Sequence, residues 1–430
     1  MLFERWCQIA RTRQDQIALR DLAAGERWSF GQLASAAETD ATAGGPIAFP
    51  HGVSADFIFG VLRGWRSGQV VCPLEPDQTA PSMCGPLPAG IVHLKTTSAT
   101  TGTPQLVAFT AAQLLADAEN IVATMGLRPE WPNLGLISLA HSYGFSNLVL
   151  PLLLHGVPLT LAGAGLPEAV RRAAATGEEF TLAAVPALWQ AWHDAGAIPP
   201  NIRLAISAGA PLPLALEQSV FARDALKIHN FYGSSECGGI AYDPTAVPRA
   251  DGSCAGAPLR GVEVCVAQDG CLEVRSSAVA QTYWPEPNPN LGAGVFHTSD
   301  LAELSGGLVY LRGRSSDQIN VAGRKVSPEA IERILATHPR LRHCLAFGVP
   351  SGVPGRGETI VACVEACGQV TSGALREFLR TKLPEWQVPR QWWFVDSLSA
   401  NHRGKLSRAD WRKRYLEGQR APDARREQRP

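Results

Sequence analysis

An apolar run, Gly90-Ile91-Val92-His93-Leu94, leads almost directly into Thr96-Thr97-Ser98-Ala99-Thr100-Thr101-Gly102-Thr103-Pro104-Gln105. The spacing predicts a strand that opens into a loop of hydroxyls and small residues, followed by a helix over Thr110 to Met125. Such a loop can wrap a phosphate chain. Hydroxyls and backbone N–H groups both donate to phosphate oxygens, and glycine lets the backbone come close. It is not a loop of the GxxxxGK-S/T type, because no Lys-Ser/Thr pair follows Gly102. Taken alone, the same composition also describes a surface turn.

The rest of the chain alternates strand and helix patterns. Helical spacing of apolar residues runs from Glu4 to Leu19, Phe30 to Ala37 and Ala55 to Gly68. Ile47 to Phe49, Val70 to Leu74, Leu134 to Leu139, Pro158 to Leu161 and Thr181 to Val185 read as strands. This alternation predicts an α/β fold with mainly parallel strands. From Ala257 onward the character changes to short β segments broken by Gly and Asp: Gly261 to Ala267, Gly270 to Ser276, Leu301 to Leu304 and Gly307 to Leu311. They predict a small β subdomain. Beyond it lies a compact α/β unit. Its expected helices are Pro328 to His338 and Gly373 to Lys382, and its expected strands lie around Cys344 to Val349 and Glu358 to Glu365. The charged segment from Glu417 to Pro430 is expected to be a disordered tail.

Composition narrows the function classes. Lys+Arg and Asp+Glu are both 39, so no basic excess favours nucleic acid. No run of about 18 uncharged apolar residues predicts a membrane-spanning helix, and Met1 to Trp6 does not resemble a secretory leader. The ten cysteines form no C-x-x-C pair, which argues against a zinc site and for reduced thiols in a cytoplasmic protein.

Five blocks, in order, resemble the adenylate-forming superfamily of acyl- and aryl-CoA synthetases, peptide-synthetase adenylation domains and luciferases. Thr97 to Gln105 resembles its S/T-S-G-S/T-T-G-x-P-K phosphate loop, with Ala99 in place of a glycine and Gln105 in place of the lysine. Ser207-Ala208-Gly209-Ala210-Pro211-Leu212 resembles S-G-G-A-P-L, and Asn230 to Glu236 resembles N-x-Y-G-x-S/T-E. His297-Thr298-Ser299-Asp300 and the block from Gly313 to Glu329 are similar to T-G-D and the inter-domain hinge. Asn401 to Arg408 matches T-x-x-G-K-I/L-x-R.

The resemblance implies a large domain over 1–313 made of α/β subdomains and a small β subdomain, its N-terminal part shortened. A hinge at 314–316 and a small mobile α+β domain over 317–416 follow. It implies ATP and Mg2+, with CoA or the phosphopantetheine of an acyl carrier protein as acceptor. Thr97, Ser98, Thr100, Thr101 and Gly102 would grip the β- and γ-phosphates. Gly209, Ala210 and Asn230 would meet the adenine edge and Tyr232 would stack on the ring, with Phe231, Gly233 and Ser235 completing that segment. Glu236 would face the metal, Asp300 and Arg314 the ribose. Lys405 would bridge the substrate carboxylate and the α-phosphate in one domain orientation. Gly323 would line the thiol channel in the other.

His141-Ser142-Tyr143-Gly144 stands where amino-acid-activating relatives carry F-D-x-S, and no carboxylate occurs between Trp131 and Leu166. An α-amino acid is therefore disfavoured as substrate. The acid pocket is expected to involve His141, Tyr143, Phe145, Ala208, Cys237, Gly238 and Gly239, which suits an aromatic or medium-chain acid. A second reading is a degenerate protein that keeps the fold as a nucleotide- or acyl-binding scaffold without turnover. Ala99, Gln105, Ser299 and the short N-terminal part favour it. Glu236, Asp300, Arg314 and Lys405 favour the ligase.

Overall fold

The structure, a computed structural model, describes residues 1–39, 44–81, 85–96, 105–163, 165–352, 357–398 and 406–420. The phosphate-loop residues Thr97 to Pro104 and Lys405 therefore lie outside the described residues. The chain divides into two compact units. One comprises Met1–Ala267, Leu272–Thr298 and Leu304–Val309; the other comprises Gln268–Cys271, Ser299–Glu303 and Tyr310–Pro430.

In the first unit a long sheet carries, in spatial order, Glu26–Ser29, Ile17–Asp21, Leu159–Leu161, Asn133–Gly135, Phe180–Ala184, Ile202–Ser207, Ile228–Ser234, Gly238–Tyr242 and Cys254–Pro258. The strands from Ile17–Asp21 to Ile228–Ser234 pair in parallel. A second sheet orders Thr282–Trp284, Leu106–Thr110, Ile91–Thr96, Val70–Val71 and Ile47–Ala48. Helix Ala111–Met125 follows the strand that leaves the Ser/Thr-rich loop. A reciprocal bond pair between Thr110 and Gln113 opens the helix, and Gly126, at φ +67°, closes it.

The expected helix from Glu4 to Leu19 is corrected. It spans Leu2–Thr12, and Ile17–Asp21 is a strand. Pairing with Leu159–Leu161 on one side and Glu26–Ser29 on the other overrides the helical spacing. The expected strand from Leu134 to Leu139 stops at Gly135. The Ser138 hydroxyl accepts from the backbone N–H groups of Ala140 and His141, turning the chain instead. The apolar stretch after it is helical, with a π-turn over Phe145–Val149. Pro151 lacks the N–H that would bond to the Asn147 carbonyl, and the Asn133 side chain donates to that carbonyl at 3.2 Å.

The second unit holds a three-stranded sheet. Glu358–Ala366 lies between antiparallel Leu341–Pro350 and parallel Gln391–Val395. Strand alternation gives it two apolar faces. Ala346, Ile360, Ala362 and Val364 pack with residues of helices Pro328–Leu335 and Ser372–Arg380. Phe347, Val349, Val361 and Cys363 pack with Trp411 of helix Arg408–Arg420. That last helix passes Glu417, where the sequence pattern predicts a tail, because its apolar side covers the sheet.

Arg408 pins the start of this helix. Its guanidinium pairs with Asp317, with Glu329 at 3.0 Å and with Glu332 at 3.0 Å, and it donates to the Ala346 carbonyl at 2.9 Å. Burial pushes the Glu332 carboxyl upward, and the Arg408 charge opposes that push. Arg408→Ala leaves these carboxylates without their cation. It is expected to destabilise the smaller unit by about 3–5 kcal/mol, read as an earlier unfolding transition in chemical denaturation.

Candidate active site

Parallel strands Phe180–Ala184, Ile202–Ser207 and Ile228–Ser234 end together at the carboxyl edge of the large sheet, the usual place for a ligand in such folds. The turn after Ile202–Ser207 carries Ala208, which is buried, then Gly209 at φ +85° and half-buried Ala210. Behind it lies a buried quartet of charges. Lys227 pairs with Glu217 and, at 2.6 Å, with Asp243; Arg249 pairs with Glu217 at 2.8 Å. Arg249 also donates to the carbonyls of Leu212 and Cys254, so the quartet ties the 208–213 turn to the Cys254–Pro258 strand.

The residues from Asn230 to Glu236 divide by strand alternation. The Asn230 amide is buried and donates to the carbonyls of Cys254 and Ala255 at 3.5 and 3.4 Å, which ties strand Ile228–Ser234 to strand Cys254–Pro258, one strand further along the sheet. Phe231 points the other way and packs against Tyr143, ring centroids 6.0 Å apart. Tyr232 and Ser235 are half-buried, and Gly233 is exposed. A Cβ on Gly233 would stand 2.5 Å from the Gly238 carbonyl, so this hairpin closes only over a glycine.

Glu236 sits at the tip of that hairpin. Its backbone N–H donates to Ser234, and its carbonyl accepts from the Ala280 N–H at 2.8 Å. The Tyr283 hydroxyl donates to Glu236 Oε1 at 3.0 Å. Burial, with the Glu236 charge added, raises the Tyr283 phenol far above its ordinary value, so it remains a donor. Among the described residues only Oε1 is engaged, which leaves Oε2 for a hard divalent cation. Tyr283 carries no signal in the sequence blocks. Strand Thr282–Trp284 brings it here by pairing with Leu106–Thr110, the strand that leaves the Ser/Thr-rich loop.

The expected acid-pocket residues come together beside this hairpin. His141 is half-buried, and its Nδ1 accepts from the Tyr143 N–H at 3.3 Å, which puts the ring proton on Nε2. Tyr143 is buried and its hydroxyl donates to the Ala184 and Ile206 carbonyls, so it contributes an apolar ring rather than a free hydroxyl. Phe145 is fully buried. Burial pushes the Cys237 thiol up and keeps it neutral.

A buried ion pair at this wall escapes the sequence reading. Lys95, on strand Ile91–Thr96, donates to the Ser146 hydroxyl at 3.2 Å and faces Asp117 Oδ2 at 3.7 Å. Ser146 donates to the same Asp117 oxygen at 2.6 Å, and Asp117 Oδ1 accepts from the Gly239 N–H at 3.2 Å. Lys95 and Asp117 are 3% and 1% exposed, so both charges depend on each other.

In the second unit Arg314 donates to Asp300 at 3.0 Å, so the two residues assigned to the ribose are adjacent. The Ser315 hydroxyl donates to the Ser299 carbonyl at 3.2 Å and ties the turn Ser315–Asp317 to strand Val295–Ser305. Gly323 lies at the exposed tip of hairpin Ile319–Val321/Arg324–Val326 with φ +83°, and an added Cβ there would meet nothing within 4 Å.

The AMP-binding enzyme family model matches residues 78–284, and the AMP-binding enzyme C-terminal domain model matches residues 330–405. The chain belongs to the adenylate-forming superfamily. Among its curated relatives is a probable 2-succinylbenzoate–CoA ligase of Mycobacterium tuberculosis, 29% identical over 83% of this chain and 93% of that protein. A feruloyl-CoA synthase of Amycolatopsis sp. is 27% identical over 76% of this chain and 71% of its own length. The fold matches ATP-bound MatB from Rhodopseudomonas palustris with a TM-score of 0.85 at 19% identity, over 96% of this chain and 99% of that one. This adenylate-forming chain thus carries both parts of the expected fold, large and small. Among the described residues no helix is long and apolar enough to cross a membrane.

Gly238 tests how tightly the wall is built. It has φ +68°, and an added Cβ would lie 1.9 Å from Asp117 Oδ1. Gly238→Ala is expected to cost about 2–4 kcal/mol, combining left-handed strain with overpacking, and to lower the melting temperature accordingly. A melting curve unchanged from wild type would show that Asp117 does not fill this space.

Proposed function

We propose that this enzyme activates an aryl or medium-chain carboxylic acid with ATP and transfers the acyl group to the thiol of CoA. The observation that carries the choice of acid is the state of Asp117. Both of its oxygens are engaged, Oδ2 by Ser146 and the Lys95 charge and Oδ1 by the Gly239 N–H. Asp117 is therefore not available to hold the ammonium of an α-amino acid. The packed rings of Tyr143 and Phe231 make the surroundings apolar instead.

The reaction joins two anions. A carboxylate oxygen attacks the α-phosphorus of ATP, its bond to the pyrophosphate oxygen breaks, and pyrophosphate leaves. The thiol sulfur then attacks the acyl carbon, loses its proton and expels AMP. Charge neutralisation is the main task of the protein in the first step. Thr97, Ser98, Thr100, Thr101 and Gly102 serve the β- and γ-phosphates, and Lys405 serves the α-phosphate and the carboxylate. Glu236, oriented by Tyr283, offers an oxygen to Mg2+, whose chemistry is to offset phosphate charge. Asp300 and Arg314 address the ribose, and Gly323, which has no side chain to obstruct it, the thiol. The nine cysteines among the described residues are free, which fits the reducing cytoplasm as its place of action.

The deciding experiment is pyrophosphate release by the purified protein with ATP, Mg2+ and a panel of aryl, alkanoic and amino acids, followed by thioester formation with CoA. Release confined to aryl or alkanoic acids, with a CoA thioester formed, supports the proposal. Release with α-amino acids alone, or transfer only to a carrier protein, overturns the corresponding half. No release with any acid would favour a binding protein.

Two variants separate the roles. Lys405→Ala is expected to slow adenylation by about 3–4 kcal/mol, some hundredfold or more, and to spare thioester formation from a supplied acyl adenylate. Equal loss in both half-reactions would count against the assignment. Tyr283→Phe removes one hydrogen bond to a charged group. It should slow pyrophosphate release by about 1–2 kcal/mol and raise the Mg2+ concentration needed for half-maximal rate.

A further inference from the structure

Strand Gln391–Val395 is the last strand of the small sheet. It pairs in parallel with Glu358–Ala366 along one side, and among the described residues no strand pairs with its other side. An open strand edge carries a row of unpaired backbone N–H and C=O groups and is a template for another strand. Proteins usually guard such an edge with a charge, a proline or a bulge. This strand has none of these. Its five residues are Gln391, Trp392, Trp393, Phe394 and Val395, and its pairing register runs without a shift. Aromatic and β-branched residues are the types that strands favour.

The two faces of the strand are filled differently. Gln391, Trp393 and Val395 lie on the side of helix Arg408–Arg420. The Tyr415 hydroxyl donates to Gln391 Oε1 at 3.0 Å, and the Trp393 ring centroid stands 5.4 Å from that of Trp411 and 5.5 Å from that of Tyr415. Trp392 packs on the opposite face, with the core under helices Pro328–Leu335 and Ser372–Arg380. Strand alternation sends Phe394 to that same face. There it is 43% exposed, the only aromatic ring among the exposed large apolar side chains of the described residues. An exposed ring on an open edge is surface that a neighbouring strand would cover.

The sequence around this edge is complementary to itself. Arg390 stands three residues before Trp393 and Asp396 three residues after it, and both are exposed. Glu385, whose charge Arg390 feels, is already paired with Arg380 at 2.8 Å. In an antiparallel pair of two copies centred on Trp393, Arg390 of each copy lies beside Asp396 of the other. Trp392 lies beside Phe394, and Trp393 beside its own equivalent. The two-fold axis makes the charge pair and the aromatic pair occur twice. Parallel pairing in the same alignment would set Arg390 against Arg390 and Asp396 against Asp396. Moving the antiparallel centre to Trp392 or Phe394 would leave each charge opposite an apolar residue. Charge therefore selects one direction and one register. We propose that the open edge of strand Gln391–Val395 is a self-association surface. Its occupant is the same strand of a second copy of this chain, antiparallel and centred on Trp393. Two three-stranded sheets then join into one of six strands. A short strand edge makes a small interface, so the association is weak and concentration-dependent.

The test is analytical ultracentrifugation of the full chain at protein concentrations up to about 1 mM. A reversible monomer–dimer equilibrium is expected. Phe394→Lys puts a charge on the edge, and Asp396→Arg turns both charge pairs into like-charge pairs. Each should raise the dimer dissociation constant by about tenfold or more. Arg390→Asp combined with Asp396→Arg restores opposite charges in the proposed register and should bring the constant back to within about threefold of wild type. All three positions are exposed, and circular dichroism checks that each variant is folded. A monomer at every concentration overturns the proposal. So does a dimer that Phe394→Lys leaves unchanged, because association then uses another surface. A charge exchange that fails to restore what Asp396→Arg removed also overturns it, because the register is then a different one. Should Phe394→Lys fail to fold, the dilution series and the charge exchange decide. None of these outcomes depends on the acid–thiol ligase reading.

Discussion

The side chain of Asp117 joins four segments that are far apart in the sequence. It sits on helix Ala111–Met125, faces Lys95 on the strand that enters the Ser/Thr-rich loop, and accepts from Ser146 in the π-turn region and from the Gly239 backbone in the Glu236 hairpin. A carboxylate buried to this degree is stable only when paired and hydrogen-bonded. Its position therefore dictates theirs. Gly238 follows from the same constraint, because any side chain there would occupy the space of the carboxylate. The π-turn belongs to it as well. By freeing the Asn147 carbonyl for Asn133, the turn accommodates Pro151 in the stretch that begins with Phe145 and Ser146.

The second unit repeats the principle with the signs reversed. One cation, Arg408, gathers Asp317, Glu329 and Glu332, which come from the turn Ser315–Asp317 and helix Pro328–Leu335. The lysine assigned to adenylation stands three residues before it in the chain. Arg408 thus anchors one end of the segment that carries Lys405.

The legibility of this molecule follows sequence distance. The blocks around Thr97, Gly209, Tyr232, Asp300, Gly323 and Lys405 are local, and each can be read without knowing what lies opposite. Helix Ala111–Met125 is equally local, with its reciprocal Thr110–Gln113 start and its terminal glycine. Lys95, Asp117 and Tyr283 were illegible because their meaning lies in partners that only sheet pairing brings near. Tyr283 is 47 residues from Glu236. Read singly, each is an ordinary polar residue. The stretch from Arg13 to Leu19 shows the same limit for structure. Its apolar spacing fits a helix, and only the neighbouring strand Leu159–Leu161 makes it β. Arg408 lay within a matched block, yet three carboxylates arriving from elsewhere define its role.

The quartet of Lys227, Glu217, Asp243 and Arg249 has a bearing on laboratory evolution. Two cations and two anions cancel in a buried space, and Arg249 also supports the backbone of the 208–213 turn. Single substitutions there break the balance and are removed by failure to fold before any change in activity can be scored. Libraries aimed at new substrates gain little from randomising these positions one at a time. Diversity is better concentrated on neutral neighbours such as Ala208 and Ala210, where a replacement alters shape without stranding a charge.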